Sequence, residues 1–263
     1  MARLLVALPP SEGKQIGGRG AWEPSAGRFG ATLGPARIEV ADRLGAFARR
    51  ASAATLASFF GVGGAHLDRA VESARSGLVG TPVLPALDRY TGVVWEHLAL
   101  GDASAATRRW AARNVVVVSG LLGVVAAGDP VPDYRLKMAA KLPGIGPLAP
   151  WWKTRIAAAL SEHARGATVV DLLPKEHAGA FDADATGRAP IVVRFQAATG
   201  AHAAGHAAKA AKGVLARALV EARAEDPATV CRTASVPGFR WADEQMTAAG
   251  GQLVTMRASG KEH

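Results

Sequence analysis

The chain has 263 residues, a formal net charge of +9, 49% hydrophobic and 20% charged residues. These values exclude a disordered or fibrous chain and allow one sizeable core, so one domain over 1–263 is expected; the basic balance favours an anionic partner without choosing among DNA, RNA and a small phosphate. A single cysteine, Cys231, excludes an intramolecular disulfide and a CxxC metal site, and the absence of a signal-peptide pattern or an apolar run of about 18 residues predicts a cytoplasmic protein with no membrane partner.

Leu4 to Leu8 reads as a short apolar strand that runs into Pro9-Pro10-Ser11-Glu12-Gly13-Lys14. Ligands of α/β proteins bind beyond the carboxyl ends of strands, which makes Ser11, Glu12 and Lys14 candidates for chemistry if the chain is an enzyme. A Walker A loop is excluded, because Leu8 stands where its first glycine belongs and Gln15 follows the lysine. Ser11-x-x-Lys14 has the spacing of a serine nucleophile and its lysine base. That motif opens a helix, and Gly13, Gly17 and Gly18 each cost a helix about 1 kcal/mol.

Ile38 to Phe60 predicts one long helix or two, ended by Gly61-Val62-Gly63-Gly64, and Ala65 to Ser76 a second segment of helix. Asp102 to Arg113 predicts a helix capped by Asp102, with Arg108, Arg109 and Arg113 near its carboxyl end, where cations suit the dipole. Val115 to Val118 is an unbroken β-branched run, the pattern of a strand buried on both faces. Tyr134 to Met138 reads as a strand rather than a helix. Trp151 to Arg165 predicts a helix, Thr168 to Leu173 and Ile191 to Phe195 strands, Ala201 to Glu225 the longest helix, and Gln252 to Met256 a closing strand. Strands and helices alternate throughout, so the expected fold is α/β: a mixed central sheet surrounded by helices.

Three further groups carry possible chemistry. Arg135 follows the rigid approach Asp129-Pro130-Val131-Pro132 and can present its fork to a phosphate or carboxylate, or else form a surface ion pair. Lys209 and Lys212 fall on one face of the late helix, in its first half, where cations oppose the dipole unless an anion compensates. The alternative is a solvated helix face. Leu142-Pro143-Gly144-Ile145-Gly146-Pro147 resembles the hairpin of a helix-hairpin-helix motif, in which Gly144 and Gly146 would let the backbone approach a DNA phosphate; a plain Gly-Pro turn is the other reading. His202 and His206 stand four apart, but without the intervening acid of the zinc motif they are expected to be solvated, and no metal or cofactor is predicted.

Five segments, in order, resemble the YaaA family of bacterial peroxide-stress proteins. They are the Pro9–Lys14 turn, Tyr90-Thr91-Gly92, Val118-Ser119-Gly120-Leu121-Leu122-Gly123-Val124, Asp133-Tyr134-Arg135-Leu136-Lys137-Met138, and Lys209-Ala210-Ala211-Lys212-Gly213-Val214-Leu215-Ala216-Arg217. Leu122 departs from the family's tyrosine, and the stretch Ala126 to Asp129 lacks a family arginine. The resemblance implies a role in limiting oxidative damage linked to free iron. It also implies a basic cleft that binds duplex DNA with little sequence preference, through Lys14, Arg135, Lys209, Lys212 and Arg217. The chain shows no iron site, so an effect on iron would be indirect. The rival reading is a biosynthetic or metabolic enzyme whose small anionic substrate is held by Lys14, Arg135 and Lys212. A general RNA-binding module is disfavoured, because two tyrosines and seven phenylalanines offer few stacking platforms.

Overall fold

The computed structural model describes residues 3–223, 226–248 and 250–259. In chain order the elements are β1 (Arg3–Leu8), α1 (Gly30–Arg50), α2 (Ala53–Phe60), α3 (Gly64–Ser76), β2 (Val83–Pro85), α4 (Ala86–Arg89), α5 (Val93–Leu98), α6 (Ala105–Asn114), β3 (Val115–Ser119), β4 (Gly123–Ala126) and β5 (Pro130–Pro132). There follow β6 (Lys141–Leu142), β7 (Gly146–Pro147), α7 (Leu148–His163), β8 (Ala167–Asp171), α8 (Lys175–Ala178), β9 (Ile191–Gln196), α9 (Gly205–Ala222), α10 (Pro227–Thr233), β10 (Phe239–Met246) and β11 (Gln252–Ala258).

Seven strands form one mixed sheet in the order β10-β11-β9-β8-β1-β3-β4. The inner five are parallel, and β10 and β4 are antiparallel edges. Leu4 to Leu8 and Val115 to Ser119 are buried without a break, as strands covered on both faces must be. From β1 the chain goes to β3 on one side; after β4 it crosses back to β8 on the other. The strand order therefore reverses between β1 and β8, and the crevice at that point opens beyond Leu8 and Asp171.

Two buried arginines tie irregular chain to this frame. Arg37 donates to the carbonyls of Pro24, Ala26, Leu122 and Val124 at 2.9–3.0 Å, and Arg89 donates to those of Gly17, Pro82 and Val131 at 2.9–3.2 Å. Burial lowers the Arg37 pKa to about 10, with Asp129 opposing the shift.

Several local expectations change. The helix expected from Ile38 begins at Gly30, with Pro35 inside it, and breaks before α2, where the Ser52 side chain caps the new start. Gly30 and Gly34 lie against Ser25, so close packing overrides their poor helix propensity. Asp102 does not cap α6; the Ser104 hydroxyl accepts the Thr107 N–H at 3.1 Å. Tyr134 to Met138 forms no strand, because Tyr134 and Leu136 are anchored by side-chain burial while the backbone stays outside any ladder. The late helix is shorter than 201–225: it starts at Gly205, which leaves His202 outside the helix that holds His206, and Ala224 and Glu225 lie outside the described residues. Gly144 and Gly146, at φ +83° and +96°, shape a two-stranded hairpin, β6–β7, that leads into α7. Residues 133–140, which lead into that hairpin, form no helix, so the segment lacks the first helix of a helix-hairpin-helix.

Candidate functional site

The Pro9–Lys14 turn is built by its neighbours. Trp95 Nε1 donates to Pro9 O at 3.2 Å, and Thr91 N donates to the Ser11 hydroxyl at 3.0 Å. The Ser11 hydroxyl itself donates to Gly13 O, while Lys14 Nζ donates to the Ser11 carbonyl at 2.9 Å. The serine hydroxyl is thus spent on the turn, and it forms no nucleophile–base pair with Lys14. The segment Lys14-Gln15 runs antiparallel to Arg89-Tyr90. This places the Lys14 ammonium over the Tyr134 ring, 4.3 Å from its centroid, and 5.5 Å from that of Tyr90.

Behind those rings lies a chain of buried hydroxyls. Ser119 Oγ is 2.6 Å from Tyr134 Oη, which is 3.0 Å from Tyr90 Oη. Ser119 Oγ also accepts the amides of Leu121 and Leu122 at 3.2 Å. With its acceptor capacity used, Ser119 donates its one proton to Tyr134. Burial raises the Tyr134 pKa to about 12 and that of Tyr90 well above its ordinary value, so both rings stay neutral.

Two cavities meet at the turn. One, of about 480 Å³, is lined by residues that include Lys14, His66, Arg69, Ser73, Asp133 and Arg135. The other, of about 350 Å³, occupies the switch-point crevice; it runs from Pro9 and Pro10 past Trp95 and Met138 to Pro174 and His177. Its wall carries Lys14, Arg135, Lys137, Lys209 and Lys212 against the two acids Glu12 and Glu176. Four of the five cations expected to bind anions therefore line one cavity. Arg217 lines neither cavity. Its guanidinium holds Glu221 at 2.6 Å and the carbonyls of Leu98 and Ala99, tying α9 to the end of α5.

The cations are not alike. Arg135 donates to Phe60 O at 3.0 Å and pairs with Glu12, whose other oxygen lies 3.4 Å from Lys137. Burial would raise the Glu12 pKa, but Arg135 and Lys137 outweigh it and hold the carboxyl below its ordinary value. Lys209 is exposed at the mouth. Lys212, for which a solvated helix face was the alternative reading, is only 7% exposed. The cause is Gly213: a β-carbon there would stand 2.4 Å from Val94 O and 2.6 Å from His97 Cβ. Without one, α9 settles onto α5 and turns Lys212 into the cavity. Among the described residues Lys212 makes no hydrogen bond and no ion pair within 4 Å. Burial lowers its pKa to about 8; Asp171 pulls the other way, and Arg194 and Lys209 add to the fall.

Sequence reasoning missed two residues beside Lys212. Asp171 ends β8, 6% exposed, and accepts the Leu173 N–H at 2.7 Å; burial raises its pKa against the pull of Arg194 and Lys212. His177 is also 6% exposed; its Nδ1 has no hydrogen-bond partner, and burial with the nearby Lys212 lowers its pKa to about 4. The signal for both was positional: Asp171 ends the central strand β8 and His177 follows it, as the Pro9–Lys14 turn follows β1. No group of three or more His, Cys, Asp or Glu side chains among the described residues is placed to hold a metal ion. No described helix is long and apolar enough to cross a membrane.

Sheet order and cavity together define a doubly wound α/β protein with a cation-lined pocket at its topological switch point. Residues 4–245 match the family described as peroxide stress protein YaaA. The chain is 34% identical to a UPF0246 protein of Streptomyces coelicolor over 82% of its own length and 83% of the relative's. It is 31% identical to one of Corynebacterium efficiens over 82% and 84%, and 26% identical to an uncharacterized protein of Campylobacter jejuni over 70% and 71%. The chain belongs to the YaaA (UPF0246) family, whose name links it to peroxide stress.

Proposed function

We propose that the chain serves the peroxide response by binding a small anionic molecule in the switch-point cavity, as a metabolic enzyme or a ligand-binding protein. Lys212 carries this reading. No carboxylate among the described residues lies within 4 Å of this buried ammonium, so Asp171 offsets its desolvation only in part, and an occupant that brings a carboxylate or phosphate lowers the cost. The cavity has the volume of a small-ligand site, and Lys14 and Arg135 stand on the same wall. Duplex DNA is the second reading. It is favoured by the net charge of +9 and by the exposed Lys209 at the mouth, and it requires no buried cation.

The experiment is a pair of titrations on the full chain and on Lys212→Met. Calorimetric titration with citrate and with inorganic phosphate should give binding that the variant lacks. Titration with a DNA duplex should give binding that falls steeply between about 50 and 200 mM salt and is equal in both proteins. Small anions that bind neither protein, or bind both alike, overturn the small-ligand reading. A duplex whose binding depends on Lys212 replaces it with the DNA reading.

A further inference from the structure

Lys14 stands on the wall shared by both cavities. Among the described residues it pairs with no carboxylate. The two acids near it are already taken: Asp133 by Arg69 at 2.6 Å, Glu12 by Arg135 and Lys137. Its one hydrogen bond is to a backbone carbonyl, and its remaining surroundings are the Tyr134 and Tyr90 rings. Ring faces favour the ammonium. Burial opposes it more strongly, and Arg135 and Arg69 add to that against Asp133 and Glu12, so the pKa falls to about 7. A desolvated lysine beside other cations is the arrangement that leaves an amine free to attack.

We propose that Lys14 is a nucleophilic amine that condenses with the carbonyl carbon of a small anionic aldehyde or 2-oxo acid. This rests on the small-anion reading, with Lys212 holding the acidic end. Neutral Nζ attacks the carbonyl carbon and forms the new C–N bond. Both Nζ hydrogens then leave with the carbonyl oxygen as water, and a C=N bond joins the substrate to Lys14. No oxidant or reductant is consumed. The tyrosine rings pack against the amine, and Ser11 O fixes its direction.

Glyoxylate with cyanoborohydride tests this, because reduction fixes the imine and peptide mass spectrometry locates it. Near neutral pH, Lys14 should be modified at least about tenfold faster than the exposed Lys153. Its rate should rise with pH through about 7 and level off well below the range of a solvated lysine. Lys14→Arg, checked for folding by circular dichroism, should lose the adduct while the remaining lysines react as before. Modification of Lys14 no faster than Lys153 overturns the proposal. Acetaldehyde, which has no acidic end, separates the two ideas. Selective labelling of Lys14 by both aldehydes, unchanged in Lys212→Met, keeps the nucleophile and removes the anion site. Citrate binding that needs Lys212, without labelling of Lys14, does the reverse.

Discussion

Lys212→Met should stabilise the protein, which is an unusual expectation for a substitution at a residue proposed to bind a ligand. Methionine keeps the length and the apolar stem, so little packing is lost. What is removed is the ammonium. Its pKa falls from 10.5 to about 8 on folding, and each tenfold loss of proton affinity is about 1.4 kcal/mol, so the charged form costs about 3 kcal/mol. Below pH 8 the lysine is charged in both the folded and unfolded chain, and the penalty is fully present. Between pH 8 and 10.5 the unfolded chain binds more protons, so wild-type stability rises with pH and the penalty fades. The other groups facing Lys212 are Asp171, Arg194, Lys209 and His177. Asp171 loses a favourable neighbour in the variant, which returns part of the gain. We expect a net gain of about 1–3 kcal/mol at pH 7, or roughly 2–10 °C in Tm for a chain of this size. Urea unfolding at pH 7 and at pH 10 measures it, and the advantage of the variant should shrink at the higher pH. A variant less stable than wild type at pH 7, or one whose advantage does not change with pH, would refute the account of Lys212 as a desolvated, unpartnered cation.

Gly213→Ala should lower the urea midpoint by the equivalent of about 1–3 kcal/mol, because its β-carbon would meet the Val94 carbonyl at 2.4 Å and push α9 off α5; an unchanged midpoint would show that the two helices are not in close contact. Cys231 is fully buried, and burial together with Glu244 and Asp226 raises its thiol pKa to about 12, Arg232 opposing. The native protein should therefore resist both a thiol reagent and hydrogen peroxide at that residue and react once unfolded, and rapid labelling of the native chain would contradict this.

The parts of the fold legible in sequence were those with uniform environments. Val115 to Val118 sits between covered faces, and its composition says so without any need for context. The edge strand β10 escaped notice for the opposite reason: Phe-Arg-Trp-Ala-Asp-Glu-Gln-Met at the rim of a sheet carries three consecutive polar residues and only one buried one, as an edge exposed to water can. The start of α1 was hidden by Gly30, Gly34 and Pro35, which read as breakers until Ser25 is seen packed against the two glycines. In both cases the deciding contact, with solvent for β10 and with the Ser25 turn for α1, lies outside the element, and the element's own pattern does not contain it.

The site divides along the same line. Lys14, Arg135, Lys209 and Lys212 were readable as cations with a reason to be grouped, and they do line one cavity. Their states were not readable. Lys209 and Lys212 are three residues apart on one helix, yet one is exposed and the other nearly closed off, because a single glycine lets α5 cover the second. The same blindness applies to Asp171 and His177, ordinary residues at and after the end of β8 until the crossover sets that strand beside β1, with His177 in the cavity that the Pro9–Lys14 turn also lines. Net charge alone suits an anionic partner without giving it a place. The reversal of strand order brings Lys14 and Lys212 to one cavity, where burial lowers the pKa of both.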